Sequence, residues 1–136
     1  MDTSRSILIR VVTLLAGLWA HDRLWNWYFY TRTGDEAVGA DIGEGLVAFA
    51  LTALVAAVWA AFDAGHRSFG LVAGTWVATG VAVAAAFAVR AAYADGGAVW
   101  TDLAALSPFL VGLVAFPALF GAGLVAVVRS SRAPAR

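Results

Sequence analysis

The sequence predicts an all-α integral membrane protein, a bundle of four transmembrane helices with both termini in the cytoplasm. Composition is the first observation behind this prediction, because 62% of the 136 residues are hydrophobic and 13% are charged. A soluble domain is about half apolar and about a quarter charged. The mean hydropathy of +0.81 points the same way. The second observation is that the apolar residues form four stretches, each near the ~20 residues that cross ~30 Å of hydrocarbon. We expect one membrane domain over residues 1–136.

The four stretches favour helices because backbone polar groups in lipid must be satisfied within the segment itself. The first stretch also resembles a signal peptide, but large residues occupy its cleavage position, so we expect a retained helix. Ser68 is expected to cap the third helix, and Ser107 and Pro108 are expected to begin the fourth. The predicted helices span residues 6–28, 44–62, 69–93 and 108–128, followed by a cytoplasmic tail over 129–136.

The arginines predict the orientation. All nine basic residues are arginines, and nine acids balance them. Six of the nine arginines fall on the side that holds both termini, and the other side holds most of the acids. An excess of arginine in short cytoplasmic loops is the usual positive-inside pattern. Both termini are therefore predicted to be cytoplasmic.

The connections between the helices differ in length and character. A tight cytoplasmic turn over residues 63–68 joins the second and third helices, so we expect these two helices to pack as an antiparallel hairpin. The two outer connections, over residues 30–43 and 94–106, are longer and carry acids and glycines. Polar side chains are therefore concentrated on the predicted outer face.

Seven polar residues on that face form what we call the outer polar cluster. Charged residues at membrane depth are usually either paired or functional. One interpretation is structural, with Asp22 or Glu44 neutralising Arg90 or Arg23 to hold helix ends together. The other is an outward-facing polar pocket. Arg10 and Arg90 are expected to extend to the headgroups on opposite sides of the membrane. The cluster consists of His21, Asp22, Arg23, Glu44, Arg90, Asp95 and Asp102.

Aromatic residues mark the same outer level of the membrane. Amphipathic aromatic rings are enriched at membrane interfaces, so an anchoring belt is the simplest interpretation. The alternative is a surface that contacts a partner or lipid headgroups. The residues predicted for this contact are Trp25, Trp27, Tyr28, Tyr30 and Trp100.

Several kinds of chemistry are not predicted. The chain has no cysteine, which excludes disulfides, thiol redox chemistry and cysteine-ligated metals. A formal net charge of zero argues against nucleic-acid binding, which needs excess basic charge. Neither a hydrolase motif nor a nucleotide-binding motif is present. His21 and His66 fall on opposite predicted sides, so we expect no metal site and no cofactor.

These observations lead to an ordered set of functional hypotheses. The first is a non-catalytic accessory or structural subunit of a larger membrane complex. The alternative is a homo-oligomeric pore or facilitator for a small solute or ion, and a further alternative is an enzyme that acts on lipid at the outward-facing pocket. The expected partners are the lipid bilayer and either other membrane subunits or further copies of the chain. The expected location is the plasma membrane of a prokaryote.

Overall fold

The computed structural model describes residues 3–32, 40–95 and 99–131, although it leaves out some side chains at the helix ends beside the two gaps. The described residues form four helices that make up almost the whole of these ranges. They are α1 (Thr3–Arg32), α2 (Ala40–Ala64), α3 (Phe69–Asp95) and α4 (Val99–Ser131).

All four helices are long and apolar enough to span a membrane, which confirms the predicted all-helical class and the four candidate spans. The apolar segments are 22 to 27 residues long, and about 20 residues are enough to cross the hydrocarbon. The chain is therefore a multi-pass membrane protein by the length and composition of its helices. The candidate spans are Thr3–Phe29, Gly43–Ala64, Phe69–Tyr93 and Ser107–Ser131.

The helix ends differ from the predicted bounds most clearly in α4. This helix begins at Val99 and runs through both Pro108 and Pro117, whereas the sequence predicted a start at Pro108. A proline within a helix removes one backbone hydrogen bond and disfavours helix in the residue before it. The apolar residues before Pro108 nevertheless stay helical, since a helix satisfies the other backbone groups near the membrane. The segment over 99–106 is therefore part of α4.

The predicted cap of α3 is confirmed, and the turn before it is short. The backbone N–H of Gly65 donates to the carbonyl of Ala61 at 3.2 Å, which closes the end of α2. The carbonyl of Ser68 accepts the N–H of Val72 at 3.1 Å, as an N-cap residue does. Because the helices alternate in direction, the start of α1 and the end of α4 lie at one end of the bundle. We call this the termini end, and the opposite end the far end.

The predicted hairpin packing of α2 against α3 is wrong. Both helices pack chiefly against α4 and approach each other closely in few places, so they lie on the two sides of α4. Two glycines explain this close packing. A Cβ at Gly121 would lie 2.8 Å from the carbonyl carbon of Ala57, and one at Gly80 would lie 3.1 Å from the carbonyl oxygen of Val111. Only glycine permits such an approach of two helix backbones.

The fourth helix of the bundle, α1, packs against α3 and less closely against α2, and among the described residues its backbone does not approach that of α4. The buried core is built mostly from alanine and valine, with Trp76 as its largest fully buried side chain. Buried threonines satisfy their hydroxyls locally, as Thr79 does by donating to the carbonyl of Thr75 at 2.9 Å. The core cluster consists of Leu14, Ala56, Ala60, Ala64, Val72, Trp76, Val83, Val114, Ala118 and Ala122.

Candidate functional site: a cleft at the far end of the bundle

A cleft of about 640 Å³ lies between α1, α2 and α3 in the far half of the bundle. Four members of the outer polar cluster line it, namely His21, Asp22, Glu44 and Arg90. Helical spacing places three of them there. His21 and Asp22 lie one turn after Leu18 on α1, and Arg90 lies one turn after Phe87 on α3, so each shares a helix face with an apolar residue that lines the cleft. The structure thus brings together four of the seven residues that the sequence singled out.

The other three members of the cluster do not contribute to this cavity in the described part of the structure. Arg23 is not among its lining residues, and its guanidinium carbon lies 5.7 Å from the centroid of the ring of Trp19, which does line the cleft. This contact is a cation–π interaction on the surface of α1. Asp95 and Asp102 belong to helices, but their side chains lie outside the described residues.

On the α1 side of the cleft, local contacts fix the orientation of the polar groups. The Nε2 atom of His21 lies 3.4 Å from the carbonyl oxygen of Glu44, and its ring packs 5.6 Å from that of Trp25. Asn26 donates from Nδ2 to the backbone carbonyl of Asp22 at 2.8 Å and to its Oδ1 at 3.2 Å. The Asp22 carboxylate is therefore held at the cleft by the turn of helix that follows it.

Arg90 stands on the opposite wall, on α3. Among the described residues it takes part in no ion pair and no hydrogen bond, although its side chain lines the same cleft as two acids. The predicted pairing of Asp22 or Glu44 with Arg90 or Arg23 is not formed within the described residues, where the ion pair is that of Arg10 with Asp63. The cleft therefore carries positive charge on one wall and negative charge on the other two.

Towards the middle of the bundle the cleft adjoins two apolar cavities, which we call its branches. One has a volume of about 410 Å³ and lies between α2, α3 and α4, with Leu18 of α1 at its edge. The other, of about 230 Å³, lies between α1 and α2. All three cavities share Leu18 and Ala48, so they adjoin one another at these two side chains. The result is a cleft with a polar mouth and two apolar branches.

The aromatic residues predicted to contact a partner or lipid separate into two groups. Trp25 is half-buried, stacks on Phe29 at 4.4 Å between ring centroids, and packs against Gly43 of α2. Trp27 and Trp100 are instead 67% and 78% exposed, and Tyr28 is also exposed. The side chain of Tyr30 lies outside the described residues. Trp27 and Trp100 are therefore the two of these described side chains that expose most of their surface.

A second polar cluster lies at the termini end, and the sequence did not reveal it. Arg10 is 2% exposed rather than extended to the headgroups. It forms an ion pair with Asp63 and donates hydrogen bonds to Ser6, including one of 2.8 Å to the Ser6 carbonyl. Its guanidinium carbon lies 5.4 Å from the ring centroids of both Trp59 and Trp76.

The helical spacing of these residues is the signal that could have found this cluster. Ser6 and Arg10 lie four residues apart on α1, and Trp59 and Asp63 lie four residues apart on α2. Residues at this spacing share one face of a helix. The face of α2 that carries both Asp63 and Trp59 therefore provides an ion-pair partner and an aromatic ring for an arginine on a neighbouring helix.

No group of three potential metal ligands occurs among the described residues. His21 lies at the far end, whereas His66 lies in the turn at the termini end, where its Nδ1 is 3.1 Å from the carbonyl of Phe62. The two histidines of the chain are thus too far apart to act together. The chain matches no protein-family model, no curated protein and no solved structure.

Proposed function

We propose that this chain is a non-catalytic membrane subunit that holds one amphipathic molecule in the cleft at its far end. The single observation that carries the proposal is the shape of that cleft, in which a charged mouth adjoins two apolar branches. Its main cavity of about 640 Å³ falls within the 300–1,000 Å³ that is usual for small-molecule sites. An amphiphile matches both parts of such a site, whereas a polar solute matches only the mouth.

Binding is favoured over catalysis because of how the polar groups at the mouth are used. His21, the residue best suited to general acid–base work, packs its ring against Trp25 and lies against the Glu44 carbonyl. Asp22 is held by Asn26. These contacts hold His21 and Asp22 in place around the cleft, and they favour a role in shaping its mouth. The enzyme hypothesis is therefore the weaker interpretation of the same pocket.

The proposed setting is the plasma membrane of a prokaryote, with the termini end in the cytoplasm. Arg5, Arg67 and Arg129 are placed at that end, in agreement with the positive-inside rule. In this orientation the cleft opens towards the outer surface. Its apolar branches lie at the depth of the acyl chains, so an amphiphile enters with its headgroup at the membrane surface.

The test is mass spectrometry of the full chain extracted intact from its membrane in mild detergent. We expect one retained amphiphile per chain for the wild type. Gly45 lines the cleft, and a Cβ there would meet nothing within 4 Å, so Gly45→Leu should fill the cleft and displace the amphiphile without disturbing the fold. Gly74→Leu is the control, because Gly74 is exposed, lies outside the described cavities and is equally unobstructed.

Two results would overturn this proposal. One is a wild-type chain that carries no amphiphile after mild extraction. The other is an amphiphile that Gly45→Leu and Gly74→Leu retain equally, since that result would place it on the lipid-facing surface rather than in the cleft.

The exposed aromatic side chains support a place for this subunit in a larger complex. Trp27 and Trp100 are mostly exposed in the far half of the bundle, and aromatic side chains of this kind are enriched at protein interfaces. We expect the complex extracted in mild detergent to contain companion subunits, and Trp27→Ala to weaken their copurification. Trp25→Phe is the control, because Trp25 packs within the bundle.

A homo-oligomer of this chain alone would instead favour the pore or facilitator hypothesis. In that case a flux assay in liposomes would decide, because a pore formed between copies must conduct an ion or a small solute. No flux together with companion subunits would leave the subunit proposal in place.

A further inference from the structure

We propose that the molecule in the cleft is a diacyl phospholipid whose headgroup carries an ammonium group as well as a phosphate. This inference rests on the proposed function and concerns the chemistry of the bound molecule. It follows from the distribution of charge around the mouth, from the absence of a partner for Arg90 among the described residues, and from the two apolar branches below.

The charge at the mouth is divided between different walls. Arg90 lies on α3, whereas Asp22 lies on α1 and Glu44 on α2. Arg90 forms no ion pair with a described residue. The acids and the arginine therefore line one cleft without closing it, and the mouth has a positive and a negative side.

Each side of the mouth selects a different part of a headgroup. A guanidinium binds phosphate through two parallel hydrogen bonds, which makes Arg90 the phosphate-binding residue. A carboxylate attracts an ammonium group, and Asp22, oriented by Asn26, is placed to accept it. An anionic headgroup without a cation would satisfy Arg90 but leave the Asp22 carboxylate beside its phosphate, at a cost from like-charge repulsion. A headgroup with both charges satisfies both sides.

The two apolar branches can each receive part of one acyl chain. The cavities of about 410 and 230 Å³ diverge from the cleft on either side of Ala48, one towards α4 and one between α1 and α2. Burial of acyl chains contributes about 0.8 kcal/mol for each CH₂ group. Affinity therefore comes mostly from the branches, and headgroup selection comes from the mouth.

The experiment offers the purified full-length chain an equimolar mixture of three lipids with identical acyl chains. They carry an ethanolamine phosphate headgroup, a glycerol phosphate headgroup, or no phosphate at all, as in diacylglycerol. Mass spectrometry of the intact complex then gives the amount of each that is bound. We expect the ethanolamine lipid to be preferred over the glycerol lipid by about tenfold, the effect of one charge-assisted hydrogen bond.

Two variants assign this selection to individual residues. Asp22→Asn keeps the shape and an acceptor but removes the charge, so it should abolish the preference for ethanolamine over glycerol and leave binding of both. Arg90→Gln should reduce both phospholipids about tenfold relative to diacylglycerol. Arg67→Gln, in the turn at the other end of the bundle, is the control and should change neither ratio. If every variant unfolds in detergent under the same conditions as the wild type, each variant is folded.

The outcomes separate this inference from the proposed function. The headgroup assignment is overturned if one lipid binds in the cleft without a preference for ethanolamine. It is also overturned if Asp22→Asn leaves that preference unchanged. Both results leave the proposed amphiphile site in place. Preference for the glycerol lipid also overturns the headgroup assignment, because Arg90 alone would then select the headgroup. No bound lipid of any kind overturns both proposals.

Discussion

Each end of the bundle has an arginine that lies against other helices, Arg10 on α1 and Arg90 on α3, and the two arginines have opposite surroundings. Arg10 is 2% exposed and is enclosed by Asp63, Ser6 and two tryptophan rings. Arg90 is exposed on the wall of a cleft, and no described residue pairs with it. A charge near lipid is costly unless it is paired or reaches water. The first arginine meets that requirement inside the protein, and the second meets it at the membrane surface, where a ligand can replace water.

Helix packing explains why one end is closed and the other is open. In the half that includes the termini end, alanines and Gly121 bring α2 and α4 into backbone contact, and Trp59 and Trp76 fill the space between α2 and α3. In the far half, the space between α1, α2 and α3 is not filled by side chains in this way and contains the cleft. The closed half therefore provides stability, and the open half is available for binding.

The largest expected effect in this comparison is that of removing the counter-charge of Arg10. Asp63→Ala leaves a buried guanidinium unpaired, and loss of one partner of a buried ion pair costs about 3 kcal/mol or more. Asp22→Ala at the open end should cost far less, since Asp22 is only half-buried. Unfolding by SDS in mixed micelles, followed by loss of helical circular dichroism, measures both.

A second variant shows whether charge or packing is responsible for that loss. Arg10→Met in the Asp63→Ala background removes the unpaired charge and keeps an apolar side chain of similar length, so most of the lost stability should return. A double variant as unstable as Asp63→Ala alone would show that Asp63 acts through its own packing and not through Arg10.

The next effect in size concerns the two glycines that distinguish the halves. Gly121→Ala forces α2 and α4 apart, since its Cβ would lie within 3 Å of Ala57 backbone atoms, and overpacking of this kind costs about 1–3 kcal/mol. Gly45→Ala, in the open cleft, should cost nothing, because alanine is the better helix former and its Cβ would meet nothing within 4 Å. Equal losses of stability for the two variants in the same SDS titration would contradict the description of one half of the bundle as closed and the other as open.

The smallest effect is expected for the surface cation–π contact at the far end. Arg23→Gln removes the interaction of Arg23 with the exposed Trp19 ring, which is worth about 0.5–1 kcal/mol at an exposed site. The same substitution at Arg10 should cost several times more, because the ion pair and two cation–π contacts are lost together. A loss at Arg23 that approaches the loss at Arg10 would show that exposure does not govern the difference.

The sequence predicts the four helices because length and apolar composition are enough to identify a span. It also selects the four polar residues of the cleft, since His21, Asp22, Glu44 and Arg90 all fall at the same predicted level. Which helices are neighbours is another matter. An apolar helix in lipid is hydrophobic all round, so its pattern does not indicate which face meets another helix. The packing of α2 and α3 against α4 depends instead on single glycines such as Gly121.

The two arginines show the same limit at the scale of a side chain. From the sequence, Arg10 and Arg90 are equivalent residues near opposite helix ends, and both are expected to reach the headgroups. The burial of Arg10 depends on Asp63 and Trp76, which lie more than 50 residues away in the chain. Such a contact is specified by tertiary packing. The start of α4 is a similar case, because the helix begins at Val99 although Pro108 favours a later start.

The attachment of α1 has a mechanical consequence. This helix is fastened firmly at the termini end by Arg10, whereas its far-end contacts are a 3.4 Å approach of His21 to Glu44 and the packing of Trp25 on Gly43. Within the described residues its backbone has no close neighbour in α4. A change in the tilt of α1 would therefore alter the mouth of the cleft before it disturbed the buried ion pair at the termini end.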